Sequence, residues 1–376
     1  MRVYAEDLLR LMSNYIMRYS SGWYTLSYLS GVWGDIYEWK NLARDKLKEI
    51  LLPKFPIRFS NPSVNEVFRK NNLVVEKISY ELPYGSRVEG YFMYPSDKID
   101  NGRLPGILAL HCHGGFKYFG KEKIVEVDGE PQILRNFKDK LYSGRSWATE
   151  LAKRGFAVLA VDVLLFGSRR IEVSNLAEVT DLDDKIKKYN EVSYRVENFA
   201  AKALHLLGLS LAGLVAYEDL VALKYLVSRP EVDFTRIGVC GVSFGGTRGI
   251  LLSALDDRIK CSVIVAAVSS IDDIVRRGIE HTWPLYIPEM VKYFDIPDIL
   301  AIHVPQPLLV QYGKQDAIFP YEGQLKAHKI LTEIYRVAGY EQNYSGIFYD
   351  KPHVFDKEMQ EDAFKWLSKC LIANSS

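Results

Sequence analysis

Cysteine is scarce in this chain: four among 376 residues, at Cys112, Cys240, Cys261 and Cys370. They are too few and too scattered for a disulfide scaffold. Three lie in or beside strand-like apolar runs, where free cysteine packs as a small apolar residue. That usage predicts a reducing compartment. Excess charge is also lacking, since 48 Lys and Arg against 47 Asp and Glu leave a net charge of +1. Such balance makes no electrostatic case for nucleic acid or a membrane as partner. Charges interrupt every apolar run, and Met1 to Asp7 carries no signal-like core, so the expectation is a cytoplasmic protein. No repeat or low-complexity tract is visible.

What is present is periodic. A 48% hydrophobic share beside 25% charged residues is ordinary for a globular chain. Residues 1 to about 52 read as helical, with Leu8, Leu11, Met12, Tyr15 and Ile16 at helix spacing and LARDKLKEILL repeating it from Leu42. Between these lies an aromatic stretch: Trp23, Tyr24, Tyr28, Trp33, Tyr37 and Trp39. It reads as core packing of the extension, as a wall of a substrate pocket, or as an interface for a homo-oligomer. Pro53, Pro56 and Pro62 mark a linker. The predicted division is therefore an N-terminal helical extension and linker over 1–72 and a catalytic domain over 73–376.

From residue 73 the pattern changes. Val74 to Leu82 and Arg87 to Met93 form a hairpin around Pro83-Tyr84-Gly85. Short buried runs then alternate with helices, which predicts a mainly parallel sheet covered on both faces. Three connections exceed ordinary length, at about 116–145, 168–200 and 270–305. Loops at the carboxyl ends of parallel strands surround the site in such folds. The third is the preferred cap, and Phe116, Trp283 and Tyr286 are candidate pocket residues.

The chemistry centres on Gly241-Val242-Ser243-Phe244-Gly245, with Gly246 behind it. It fits G-x-S-x-G, a serine on a strained turn between strand and helix. Arg236 to Cys240 supplies the strand and Thr247 to Leu255 the helix. The chain order of serine, acid, histidine points to Asp316, after the run Pro307 to Gly313, and to His353, in the loop after Gly346 to Tyr349. His353 would take the Ser243 proton and return it to the leaving group, with Asp316 fixing its tautomer. Asp272 and Asp273 are the fallback acids. An oxyanion hole is expected from the Phe244 N–H and from Gly115 or, second, Gly114, after the strand Leu104 to Leu110. His111-Cys112-His113 could suggest metal ligation. Alternate strand residues point to opposite faces and no second ligand cluster accompanies them, so neither metal nor cofactor is expected.

With these residues in place the chain resembles the α/β-hydrolase superfamily, and within it the acetyl xylan esterase and dienelactone hydrolase-like group. The resemblance rests on His113-Gly114-Gly115, Asp162 to Ser168, Ser228 to Asp233, Gly241 to Gly246, Asp316 and His353. It covers roughly residues 73 to 371. Dienelactone hydrolases use a cysteine nucleophile, whereas this elbow carries Ser243, which favours ordinary ester hydrolysis. The resemblance implies a serine esterase acting on small, short-chain or acetyl esters, sugar esters included. The alternatives are amide or C–C bond hydrolysis on the same triad, or a non-catalytic binding protein of this fold.

Overall fold

The computed structural model describes residues 6–19, 24–97, 102–173, 176 and 178–373. One nine-stranded sheet organises them: β1 (Ser60–Lys70), β2 (Leu73–Glu81), β3 (Arg87–Pro95), β4 (Leu104–Leu110), β5 (Ala157–Val161), β6 (Val232–Val242), β7 (Ile259–Val265), β8 (Leu308–Gly313) and β9 (Tyr344–Tyr349). Their spatial order is β1-β2-β3-β5-β4-β6-β7-β8-β9. The pairs from β1 to β5 along the first edge are antiparallel, and those from β5 to β9 are parallel. This is the α/β-hydrolase fold, as the alternating pattern implies.

Helices cover the sheet: α1 (Glu6–Tyr19), α2 (Ile36–Leu51), α3 (Gln132–Tyr142), α4 (Trp147–Lys153), α5 (Leu182–Leu206), α6 (Leu211–Ser228), α7 (Phe244–Leu255), α8 (Ile271–Arg276), α9 (Ile296–Ala301), α10 (Tyr321–Val337) and α11 (Lys357–Leu371). Successive strand residues face opposite ways and so feed two cores. Leu108, Leu159 and Ile264 join Tyr217 of α6 and Leu251 of α7 on one face. Ile107, Val158 and Val263 join Trp147 of α4 and Phe364 of α11 on the other. No single helix among the described residues is long and apolar enough to cross a membrane.

Two segments differ from the sequence expectation. Residues 60–70, inside the predicted linker, form β1. That strand is mostly exposed and polar, so it shows no apolar alternation. At a sheet edge Pro62 costs no ladder bond. The charge-rich connection from 168 contains the start of α5, a 25-residue helix. Asp181 caps it by accepting from the Asp184 N–H at 2.8 Å, and Asp183 and Asp184 complement the positive end of the helix dipole. Of the aromatic stretch, Trp39 is fully buried and donates its indole N–H to Leu26 O at 2.8 Å, while Tyr37 is exposed. Trp23 lies outside the described residues.

Topology places the site. From β4 the chain crosses to β5 on one side, and later enters β6 on the other. The connections leaving the carboxyl ends of β4 and β6 therefore diverge and open a crevice. Leu110 pairs in register with Gly241, so the His111 to Gly115 turn and the Ser243 elbow start at the same level.

Candidate active site

Ser243 joins β6 to α7 at φ +59°, ψ −122°, a backbone conformation that costs a non-glycine residue about 1–3 kcal/mol. The turn holds because its ends are tied down. The Ser243 N–H donates to Val265 O at 2.8 Å, and Ser243 O accepts from the Thr247 N–H at 2.9 Å. A Cβ on Gly241 would lie 2.1 Å from Gly245 O, and one on Gly245 would lie 2.1 Å from Leu110 O. Both glycines are thus required by close backbone approach. Beneath the elbow, buried Arg248 of α7 forms a two-pronged ion pair with Asp219 of α6, at 2.9 and 2.7 Å.

Asp316 and His353 come from the loops after β8 and β9. His353 Nδ1 lies 2.6 Å from Asp316 Oδ2. The other oxygen, Oδ1, accepts from the N–H groups of Ile318 and Phe319 at 2.9 and 3.0 Å. Asp316 is 5% exposed, so this carboxylate faces two amides and one imidazole. The fallback acids are engaged elsewhere: Asp272 accepts from Ser13 Oγ and pairs with Arg276, and Asp273 pairs with Arg277.

The turn after β4 is held from below and from the side. Lys123 is fully buried, and its ammonium donates to the carbonyls of Cys112, His113 and Phe116 at 2.5, 3.2 and 3.2 Å. Burial pushes its pKa down to about 8. Gly114 and Gly115 follow at φ +61° and +62°. The Gly115 N–H donates to His113 Nδ1 at 3.1 Å, and His113 Nε2 lies 3.0 Å from Glu197 Oε2. With Nδ1 accepting, the proton of this imidazole sits on Nε2 and is donated to Glu197. Burial, only partly offset by Glu197, lowers the pKa of His113 and keeps the ring neutral. Burial alone would raise Glu197, but hydrogen bonds from His113 and buried Lys117 hold it at about 2. His111, the other member of the triplet, directs Nδ1 toward Cys112 O at 3.1 Å. Three carbonyls depend on one ammonium, so Lys123→Met is expected to lower unfolding free energy by about 3 kcal/mol and to reduce turnover. Urea denaturation beside steady-state kinetics checks this; wild-type values for both would deny Lys123 the holding role.

Ser243, His353, His113, Gly114 and Gly115 line one cleft of about 330 Å³ with Tyr194, Glu197, Glu280, His281, Thr282, Trp283 and Ile318. Its walls come from α5 and from the 280–283 loop, so the second and third long connections both contribute. Of the candidate pocket residues, Trp283 lines this cleft, whereas Tyr286 lines an adjoining cavity. Phe116 lines neither. It is buried against Leu134 and Ile186, with its ring stacked on Phe137 at 4.8 Å, because Lys123 draws the carbonyls of the loop inward. Glu197, Tyr194 and His281 were not singled out from sequence. A charged helix and an irregular loop carry no local sign of which side chain turns toward Ser243.

Fold and elbow together define an α/β-hydrolase. The chain belongs to the Abhydrolase family, whose model matches residues 32–363. It is 30% identical over 302 residues to YtaP of Bacillus subtilis (strain 168), a hydrolase by name, covering 79% of this chain and 88% of that one. Two among the solved structures that share the fold illustrate the likeness. One, described as an acetyl xylan esterase from Bacteroides fragilis NCTC 9343, has a TM-score of 0.65 and 22% identity over 84% of this chain and 75% of that chain. The other, a glucuronoyl esterase from Solibacter usitatus, has a TM-score of 0.60 and 13% identity over 93% and 95%.

Proposed function

We propose that this hydrolase is a serine esterase cleaving small carboxylic esters with short acyl groups, acetyl included, through an acyl-enzyme. The observation that carries the reading is the 2.6 Å contact between His353 Nδ1 and Asp316 Oδ2, in the cleft that Ser243 also lines. His353 removes the Ser243 proton as Oγ attacks the ester carbonyl carbon, then returns it to the departing alcohol. Water repeats the sequence and releases the acid. Asp316 keeps the Nδ1 proton in place and stabilises the imidazolium. The Phe244 N–H and the turn at Gly114 and Gly115 receive the oxyanion, each donor contributing about 3 kcal/mol. The Gly115 N–H donates to His113 Nδ1, so its use exchanges that bond for one to the oxyanion, while Gly114 is the neighbouring donor. The names of the two structural neighbours, both esterases, support ester substrates.

The acyl group is read as short because Trp283, His281 and Glu197 bring bulky and polar side chains into the walls of the cleft at Ser243, of about 330 Å³. An open apolar groove would gain up to about 0.8 kcal/mol for each methylene buried. A closed pocket rejects the extra length. Across p-nitrophenyl esters, kcat/KM is therefore expected to fall from acetyl or butyryl to octanoyl. A steady rise with chain length would refute the short-acyl reading.

A further inference from the structure

Beside the cleft at Ser243 lies a second cavity, of about 370 Å³, within the range of small-molecule sites. Tyr194, Glu280, His281 and Trp283 line both, so the two adjoin across these side chains. Its outer wall is α1. Leu9 and Met12 stand one turn apart on one face of that helix, opposite Val275, Ile279 and Tyr286. The helix is tied to the body through Ser13, which donates to Asp272 Oδ1 at 3.0 Å, and through buried Ile16.

His281 stands at the junction. Its Nδ1 accepts from the Thr282 N–H at 2.9 Å, and burial together with the nearby His353 pushes its pKa down to about 4. The ring is therefore neutral with its proton on Nε2. That atom is itself buried, so the neutral ring adds neither a charge nor an open donor to the cavity wall. Position decides which part of the ester lies here. The His281 ring packs edge-on against Phe319 at 4.7 Å, and Phe319 stacks on His353 at 6.0 Å. The junction thus lies on the His353 side, where the departing alcohol oxygen takes its proton.

We propose that the cavity between α1, α5 and residues 275–286 is the leaving-group subsite, accepting the apolar ring of an aryl or cyclic alcohol. This rests on the serine-esterase reading. The N-terminal helix then acts as a specificity element.

The test compares 2-naphthyl acetate with ethyl acetate, so that the acyl group is constant. Met12→Trp fills the cavity from a half-exposed position. It is expected to lower the ratio of kcat/KM values, naphthyl over ethyl, roughly ten-fold relative to wild type. Leu9→Trp serves as a second blocking variant. Leu11→Trp, at a 62% exposed position on the same helix outside the cavity, should leave the ratio at its wild-type value. An unchanged ratio in both blocking variants overturns the proposal. So does an altered preference between ethyl acetate and ethyl butyrate with the naphthyl ratio intact, which would make the cavity an acyl pocket. Failure of the underlying reading looks different: Ser243→Ala would still hydrolyse both acetates.

Discussion

Replacing Ser243 by alanine is expected to lower kcat for an acetyl ester on the order of 10⁶-fold while leaving the chain folded. On the proposed mechanism the loss is large because the acyl-enzyme forms on the Ser243 hydroxyl oxygen. What survives comes from substrate binding and the oxyanion amides. The fold should persist because the elbow is held by Gly241, Gly245 and the two backbone bonds to Val265 and Thr247, none of which involves the hydroxyl. Alanine occupies the same φ of +59° under much the same strain, so unfolding free energy should move by no more than about 1 kcal/mol. A fluorophosphonate should label Ser243 in the native chain. Labelling that persists in Ser243→Ala would place the nucleophile elsewhere.

Asp316→Asn is expected to lower kcat roughly 10⁴-fold, and the hydrogen bonds around this side chain say why. The amides of Ile318 and Phe319 both donate to Oδ1. An asparagine must keep its carbonyl oxygen there, which turns its NH₂ toward His353 Nδ1. Two donors cannot face each other, so the imidazole is driven to carry its proton on Nε2. That tautomer has no lone pair to accept the Ser243 proton. Near-native melting with lost turnover would separate this effect from unfolding. Near-native turnover in Asp316→Asn, with Asp272→Asn or Asp273→Asn inactive, would move the acid to α8.

Much of the parallel half of the sheet was legible because its strands are buried on both faces. Ala157 to Val161 reads as a strand and forms one with those bounds, and the amphipathic run Lys357 to Leu371 is α11. The edge strand β1 escaped because a solvated strand needs no apolar alternation. The length of α5 escaped because its charges mask a narrow buried stripe of Ile186, Tyr189, Ser193, Glu197 and Ala201. Phe116 was misjudged for a related reason. Adjacency to the Gly114-Gly115 turn says nothing about which way a ring points, and the buried Lys123 whose ammonium binds the loop carbonyls lies seven residues away.

The sequence by itself determined the elements that depend on neighbours in the chain: the α/β-hydrolase class, the elbow at Ser243, and the loops carrying Asp316 and His353. Glycine spacing and buried runs of strand length are local requirements, so they are written locally. The tertiary structure alone decided which acid meets His353, that Glu197 and His113 hold the turn at Gly115, and that α1 walls a cavity beside the cleft. Those depend on side chains from segments tens to hundreds of residues apart converging where the connections of β4 and β6 part. Sheet order sets that convergence, and no local pattern encodes it.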